Sequence, residues 1–290
     1  MTSCSLKILI VGGQGQLACA LQAHPRASLF NLVAAPHALA DLTNPHSLHD
    51  AIANHQPDVV INTAAYTAVD KAETEKELAL NVNHLGSKNL AILCEQLKRP
   101  LIHLSTDYIF DGKQRQPYRE EDEVNPINWY GESKWLGEQA IRQYCERHFI
   151  LRVSGVFSEY GSNFFKTLLR LAKEKDPIRV VNDQITCPTY AGDIANVLFT
   201  LAEQEGAWGT YHYCSQEAAS WYEFACAVIA QAAKWQPLQT TRIQAITTKE
   251  YPTAAKRPPH SVLDCDKLYQ QFNLIQPSWS HSLTQERMYR

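Results

Sequence analysis

The feature that most constrains the fold is a regular alternation of strand and helix patterns over the first 157 residues. It begins with the aliphatic run Ile8–Val11, followed by a glycine-rich turn and then by helical spacing. Unbroken aliphatic runs are typical of strands buried on both faces, and strands that alternate with helices form parallel sheets. The sequence therefore predicts an α/β fold with a doubly wound parallel sheet of Rossmann type. Ligands bind such sheets along the edge where the strands end.

The alternation also suggests a division of the chain. Residues 1–157 are predicted to form a dinucleotide-binding Rossmann domain, after which the pattern becomes mixed. Residues 158–290 are predicted to form mainly a smaller mixed α/β substrate-binding lobe. Within it, a segment at about 178–204 is expected to return to the Rossmann domain.

Composition excludes several classes of function. The apolar fraction of 45% and the charged fraction of 20% are those of an ordinary globular protein. A formal net charge of −3 gives no indication of a nucleic-acid partner or an anionic membrane surface. The eight cysteines are scattered singly without metal-ligand spacing, so we expect reduced thiols and no metal site. No apolar run approaches the length of a membrane span, and a cytoplasmic protein is expected.

The glycine turn after the first strand has the context of a dinucleotide site. Gly12 allows a tight turn, and Gly15 allows backbone N–H groups to approach a pyrophosphate at the start of the next helix. The third small position, used for helix–strand packing, is Ala18. The alternative is a plain strand-to-helix turn.

Two further strand ends bear on the cofactor. The second strand ends in Ala35, Pro36 and His37, without the carboxylate that binds a ribose 2′-hydroxyl and without an arginine for a 2′-phosphate. His37 is either a ligand of that phosphate or a surface loop residue, so the choice between NADPH and NADH stays open. The small residues of 62–67 end the third strand and would let a dinucleotide cross the sheet edge; tight packing is the alternative.

Three side chains predict carbonyl reduction. Thr106 ends the fourth strand, and Tyr130 and Lys134 share one face of the following helix. A cation near a phenol lowers the pKa of that phenol, and the hydroxyl group of a threonine can polarise a ketone. Together these groups can protonate a ketone oxygen while a nicotinamide cofactor supplies hydride.

In this order the motifs resemble those of the extended short-chain dehydrogenase/reductases, and within them the family of dTDP-4-dehydrorhamnose reductases. The strings that carry the resemblance run along almost the whole chain: PDVVINTAAYTAVDKAE (57–73), HLSTDYIFDG (103–112), PINWYGESKWLGE (126–138), NFFKTLLRLAKE (163–174), NDQITCPT (182–189) and YPTAAKRPPHSVLD (251–264).

The resemblance implies residue roles. Tyr130 donates a proton to the C4 oxygen of a keto sugar, Lys134 binds the cofactor and tunes Tyr130, and Thr106 completes the catalytic set. The cofactor, NADPH or NADH, is expected to contact Gly12, Gly15, Gln16, Leu17, Asp41, Leu42, Ala64, Ala65, Tyr66, Thr67, Tyr130 and Lys134. The nucleotide sugar is expected to contact Thr106, Asp107, Gly155, Asn163 and Arg257, with a surface ion pair as the alternative for Arg257.

The chain departs from the family pattern at three positions. Gly155 replaces a tryptophan that packs on the sugar, and Thr186 replaces a glycine; both are expected in the sugar pocket. Some family members dimerise through a metal held by glutamates, one of which corresponds to Ala20 here. A homodimer is therefore allowed, but a metal-bridged one is not supported.

Three functions compete. The first is an enzyme, an NAD(P)H-dependent oxidoreductase that converts dTDP-4-dehydro-L-rhamnose to dTDP-L-rhamnose. The second keeps the chemistry but takes a different nucleotide-linked 4-keto deoxysugar, as Gly155 and Thr186 suggest. The third is a non-catalytic NADP-binding regulatory subunit, against which the complete set of Thr106, Tyr130 and Lys134 argues.

Overall fold

The structure is a computed structural model that describes residues 5–240 and 242–289. Its strands are β1 (Lys7–Val11), β2 (Asn31–Ala35), β3 (Val59–Asn62), β4 (Leu101–Thr106), β5 (His148–Val153), β6 (Val156–Phe157), β7 (Ile178–Val181), β8 (Ile185–Thr186), β9 (Thr189–Tyr190), β10 (Gly209–Tyr213), β11 (Ala219–Ser220) and β12 (Ile243–Ile246). Its α-helices are α1 (Gln16–Ala23), α2 (Pro45–His55), α3 (Val69–Ala72), α4 (Lys76–Leu80), α5 (Ser87–Gln96), α6 (Trp129–Tyr144), α7 (Phe164–Glu174), α8 (Ala191–Ala202), α9 (Trp221–Ala232), α10 (Asp266–Phe272) and α11 (Trp279–Leu283).

A six-stranded parallel sheet forms the centre of the molecule. Its strand order is β10-β5-β4-β3-β1-β2, and every neighbouring pair runs parallel. The predicted doubly wound α/β fold is confirmed. The chain reverses its direction across the sheet between β1 and β3, which opens a crevice at their carboxyl ends.

Two hydrophobic layers cover the sheet because its central strands are apolar on both faces. On one face, buried residues of α1 and α8 pack with Ile8, Ile10 and Phe149. On the other face, buried residues of α2, α5 and α6 pack with Leu9 and Val11. Successive side chains of one strand thus enter opposite cores, which explains the unbroken aliphatic run in the sequence.

A third core lies in the C-terminal half, where α7, α9 and α11 pack with β7. The division of the chain at residue 157 stays a prediction. Of the segment expected to return to the first domain, α8 packs on α1, whereas β7 pairs with β12 in the C-terminal half. The strand β10 also joins the central sheet, beside β5, although the sequence pattern does not indicate it.

Two segments of the chain are irregular. The apolar segment 149–157 does not form one strand, because Gly155 has φ +54° and turns the chain out of the sheet after β5. The helical region between α4 and α5 contains a π-helical segment at Asn81–Gly86. The seven described cysteines are free thiols, and Cys4 lies outside the described residues. Within the described ranges, no helix has the length and apolar content needed to cross a membrane.

Candidate active site

The glycine turn after β1 is shaped for close approach of an anion. Gly12 has φ +82°, and a Cβ atom there would lie 2.7 Å from the backbone nitrogen of Ala64 at the end of β3. Gly15 precedes α1 and provides no side-chain cap, so the first-turn N–H groups remain available to a ligand. A helix N-terminus with free N–H groups and a positive dipole end favours a pyrophosphate.

A cavity of about 1030 Å³ opens at this edge of the sheet. The structure brings together all of the residues predicted to contact cofactor or substrate except Arg257 and Thr186. The predicted residues that line the cavity are Gly12, Gly15, Gln16, Leu17, Asp41, Leu42, Ala64, Ala65, Tyr66, Thr67, Thr106, Asp107, Tyr130, Lys134, Gly155 and Asn163.

The far end of the cavity lies beside the loop after β2. His37 Nε2 lies 3.4 Å from Asp41 Oδ1, and the same carboxylate oxygen accepts hydrogen bonds from the backbone and side chain of Thr43. Among the described residues that line the cavity, His37 and Lys134 are the basic ones. A 2′-phosphate at this end would therefore meet an imidazole rather than a guanidinium.

The helix α6 presents Tyr130 and Lys134 because of how it begins. The side chain of Asn128 accepts a hydrogen bond from Gly131 N at 2.8 Å and so caps the helix. The absence of a side chain at Gly131 lets the first turn pack on the backbone carbonyl of Tyr108. The cap and this contact place Tyr130 beside Thr106, with which its phenol is hydrogen-bonded.

Burial raises the pKa of Tyr130 to about 12, although the hydrogen bond with Thr106 acts in the opposite direction. The expectation that Lys134 lowers this pKa is not met in the structure. The Lys134 ammonium is turned toward β4, where Nζ donates to the backbone oxygen of Leu104 at 2.6 Å and lies 3.2 Å from His103 Nε2. Tyr130 is therefore a phenol, and a proton donor, throughout the neutral pH range.

Burial also changes the basicity of Lys134, which is 3% exposed. Burial lowers the pKa of Lys134 to about 8, against the opposing effect of Glu138 one turn further along α6. Glu138 forms a buried ion pair with Arg152 of β5, with 2.8 Å between Oε2 and Nη2. That pair fixes α6 against the sheet.

Asp107 is a second buried acid at the cavity. Burial raises its pKa to about 6, against the hydrogen bonds from Ser261, Ser154 and Thr106. Ser154 Oγ lies 2.9 Å from Asp107 Oδ2 and 2.7 Å from Thr186 Oγ1. The expectation that Thr186 lines the sugar pocket is wrong, because Thr186 does not line the cavity. Thr186 lies behind Asp107 and supports that carboxyl group through Ser154.

Gly155 and Asn163 line the cavity, and contacts with the backbone explain both residues. A Cβ atom at Gly155 would lie 2.8 Å from the backbone oxygen of Cys187. Asn163 caps α7, because its Oδ1 accepts from Lys166 N at 3.1 Å. Its amide nitrogen donates to the backbone oxygens of Ser158 and Tyr160.

Arg257 lies outside the cavity lining. It forms a bidentate ion pair with Asp70, with Nη2 2.7 Å from Oδ2 and Nη1 3.1 Å from Oδ1. It is also hydrogen-bonded to Tyr108. The loop 251–264 is thereby attached to α3.

Sequence reasoning missed an aromatic wall that the C-terminal half contributes to the cavity. Phe164 and Trp221 line it, with their ring centroids 5.0 Å apart in an edge-to-face arrangement. Both residues stand at the first position of a helix, α7 and α9. That position places them at the cavity, yet nothing in the spacing distinguishes them from core aromatics.

The comparisons with known proteins agree with this geometry. The family model for the RmlD substrate binding domain matches residues 6–287. The dTDP-4-dehydrorhamnose reductase of Aggregatibacter actinomycetemcomitans is 40% identical over 290 residues, covering 98% of this chain and 99% of that protein. The chain belongs to the dTDP-4-dehydrorhamnose reductase family.

Further members support the assignment. The dTDP-4-dehydrorhamnose reductase of Escherichia coli K12 is 37% identical over 94% of each chain. Among solved structures, the dTDP-4-dehydrorhamnose reductase of Bacillus anthracis, in complex with NADP, superposes with a TM-score of 0.91 at 34% identity and covers 98% of this chain and 99% of that one. The family resemblance thus extends over both halves of the chain.

Proposed function

We propose that this protein is an NAD(P)H-dependent oxidoreductase that reduces the C4 ketone of dTDP-4-dehydro-L-rhamnose to give dTDP-L-rhamnose. The single observation that carries the proposal is one cavity lined by the glycine turn and by Thr106, Tyr130 and Lys134. Relatives of this chain over nearly its whole length are named for the same reaction.

The glycine turn fits a dinucleotide. A Cβ atom at Gly12 would lie 2.7 Å from the backbone nitrogen of Ala64, so the turn needs glycine to pass this close to the end of β3. The first turn of α1 has no side-chain cap, which leaves its N–H groups free. Gln16 has a buried amide nitrogen without a partner in the described part of the chain, and this donor is available to an anionic ligand at the same turn. The absence of an acid at the end of β2 leaves both NADPH and NADH as cofactors to be tested.

The residues around the ketone have separate roles in this proposal. A nicotinamide cofactor, when bound, would supply the hydride for the carbonyl carbon. Tyr130, neutral because of its raised pKa, donates its proton to the carbonyl oxygen, and the Thr106 hydroxyl shares the same hydrogen-bonding position. Lys134 lines the same cavity and, in its ammonium form, would hold the cofactor ribose.

The sugar would lie between Asp107 and the wall formed by Phe164 and Trp221. Gly155 leaves the adjacent part of the wall without a side chain, and this observation favours the second candidate, a different nucleotide-linked 4-keto deoxysugar. A purely regulatory subunit has no need of a buried phenol, threonine and lysine in one cavity. Because the reaction consumes a nucleotide sugar and a reduced nicotinamide, we place it in the cytoplasm.

The test is a comparison of substrates with purified protein. dTDP-4-dehydro-L-rhamnose and a panel of other nucleotide-linked 4-keto deoxysugars are mixed with NADPH or NADH, and absorbance at the nicotinamide band is followed. The highest kcat/KM for dTDP-4-dehydro-L-rhamnose supports the proposal. A higher value for another sugar favours the second candidate. Cofactor binding without oxidation of any sugar contradicts an enzymatic role.

A further inference from the structure

A buried polar chain lies behind Lys134, on the side away from the cavity. Asn62 ends β3 and His103 lies directly opposite it on β4. Both are only 1% exposed, and neither lines the cavity. His103 Nδ1 is 3.0 Å from Asn62 Nδ2, and His103 Nε2 is 3.2 Å from Lys134 Nζ. Each ring nitrogen of His103 therefore faces one specific partner.

The orientation of the Asn62 amide determines the tautomer of His103. Asn62 Oδ1 lies 3.1 Å from the backbone nitrogen of Ala64, whose N–H can only donate. Oδ1 must therefore face Ala64, and the amide nitrogen faces His103. Since that nitrogen is itself only a donor, His103 Nδ1 must accept, and the single proton of the neutral ring lies on Nε2.

The Nε2–H group then points at Lys134 Nζ. An ammonium has donors only, so two N–H donors would oppose each other at 3.2 Å, whereas a neutral amine offers a lone pair that accepts from Nε2–H. The backbone oxygen of Leu104 accepts an N–H from Nζ in either state. The arrangement therefore disfavours the charged form of Lys134.

We propose that Asn62 and His103 are positioning residues for Lys134: they hold the proton of His103 on Nε2 and thereby make it easier for the Lys134 ammonium to lose a proton than it would be without them. Lys134 can then release and regain a proton near pH 8, in the same cavity as the phenol that must be reprotonated after each turnover. The inference rests on the proposed function only for the contact between Lys134 and the cofactor.

The charged and titratable groups around Lys134 act in both directions. On its own helix, Glu138 favours the ammonium, but Arg152 from β5 is paired with Glu138 and offsets part of its charge. From β4, His103 stays neutral, because burial and Lys134 hold the pKa of His103 well below its ordinary value. Tyr130, also on α6, is uncharged at neutral pH, because burial raises its pKa to about 12.

The first test needs no cofactor. Nitrogen-15 NMR of histidine-labelled protein, with His103 assigned through the His103→Gln variant, reports which ring nitrogen carries the proton. The proposal expects protonated Nε2 and unprotonated Nδ1 at neutral pH. A proton on Nδ1 would overturn it, whatever the variants below do.

The second test reverses the tautomer. In Asn62→Asp one carboxylate oxygen keeps the bond from Ala64 N, and the other accepts from Nδ1, so the ring proton moves to Nδ1 and a lone pair faces Nζ. NADPH affinity, followed by nicotinamide fluorescence, should fall in the native protein as pH rises through about 8. In Asn62→Asp this alkaline limit should move up by about one pH unit or more, since a facing acceptor stabilises the ammonium. An unchanged limit contradicts the proposal.

The control is Asn62→Asp combined with His103→Leu, compared with His103→Leu alone. The alkaline shift should largely disappear there, because no ring connects the carboxylate to Nζ. A shift of equal size would show that the carboxylate acts through space, and the inference would fail. Because binding and NMR need no sugar, a protein that reduces no sugar would refute the proposed function without deciding this question.

Discussion

Arg257 and Asp70 form a bidentate ion pair that joins the loop 251–264 to α3, with its shorter contact at 2.7 Å. Asp70 also accepts a hydrogen bond from Ala255 N at 3.1 Å. The amide of Asn128, whose other atom caps α6, donates to the backbone oxygen of Lys256 at 2.9 Å. The loop is therefore attached at several points to the structure that positions Tyr130.

We predict that Arg257 acts through Asp70 rather than on the substrate phosphates. Arg257→Met and Asp70→Asn should then lower kcat/KM for the sugar nucleotide by similar factors. The double variant should be no worse than either single one, because residues that act as one unit are not additive. Steady-state kinetics on the three variants measures this. A KM raised about tenfold or more in Arg257→Met alone would instead indicate a direct phosphate contact.

We predict that Tyr130→Phe binds NADPH normally and loses turnover roughly 100- to 10,000-fold, the range contributed by a positioned general acid. The matched control is Tyr144→Phe on the last turn of the same helix, outside the cavity lining. That variant should keep native kcat. Fluorescence titration and steady-state rates separate binding from chemistry, and a near-native kcat in Tyr130→Phe would remove the assigned role.

Asp107 should make the protein less stable at neutral pH than a neutral residue would. Because burial raises its pKa from 3.8 to about 6, the folded state binds more protons than the unfolded state between these values. Stability from this group is therefore present below pH 3.8 and is lost as pH rises through 6.

Asp107→Asn removes that dependence. Relative to the native protein, its free energy of unfolding should gain roughly 3 kcal/mol between pH 3.5 and pH 7.5. Urea unfolding at the two pH values measures the difference. Asp50→Asn, at an exposed position on α2, should show no such change. If the free energy of unfolding gains no more in Asp107→Asn than in this control, burial does not raise the pKa of Asp107.

We predict that a side chain at Gly155 destabilises the fold before it reshapes the sugar pocket. Gly155→Ala requires a left-handed backbone and places Cβ 2.8 Å from the Cys187 carbonyl oxygen, at a cost of about 1–3 kcal/mol. Gly206→Ala is the control, since Gly206 has φ +90° but open space around it. Thermal unfolding should rank Gly155→Ala clearly below Gly206→Ala; equal stability would contradict the close contact.

The sequence was sufficient for the first five strands of the central sheet, though not for β10, because the relevant signal is local. The aliphatic run of β1 and the glycines after it specify a strand, a turn and a helix within about 20 residues. Tyr130 and Lys134 share a helix face by spacing alone. Their proximity to Thr106 follows from parallel strands that end at one edge.

Contacts between residues that lie far apart in the sequence leave no such local pattern. The pairing of Arg257 with Asp70 joins residues 187 positions apart, and the contact of Asn62 with His103 depends on strand register. The sequence predicts a lowered pKa for Tyr130, but the pKa is raised. The spacing shows a cation one turn away, whereas it does not show how deeply the phenol is buried. Thr186 was misplaced because its side chain turns toward Ser154 rather than the cavity.

The most direct test of the central claim follows the hydride itself. Purified protein is incubated with dTDP-4-dehydro-L-rhamnose and NADPH or NADH carrying deuterium at the transferable C4 position, and the sugar product is examined by NMR and mass spectrometry. The proposed function predicts dTDP-L-rhamnose with one deuterium at sugar C4. Recovery of an unreduced, unlabelled sugar from a protein shown to bind the cofactor would contradict it.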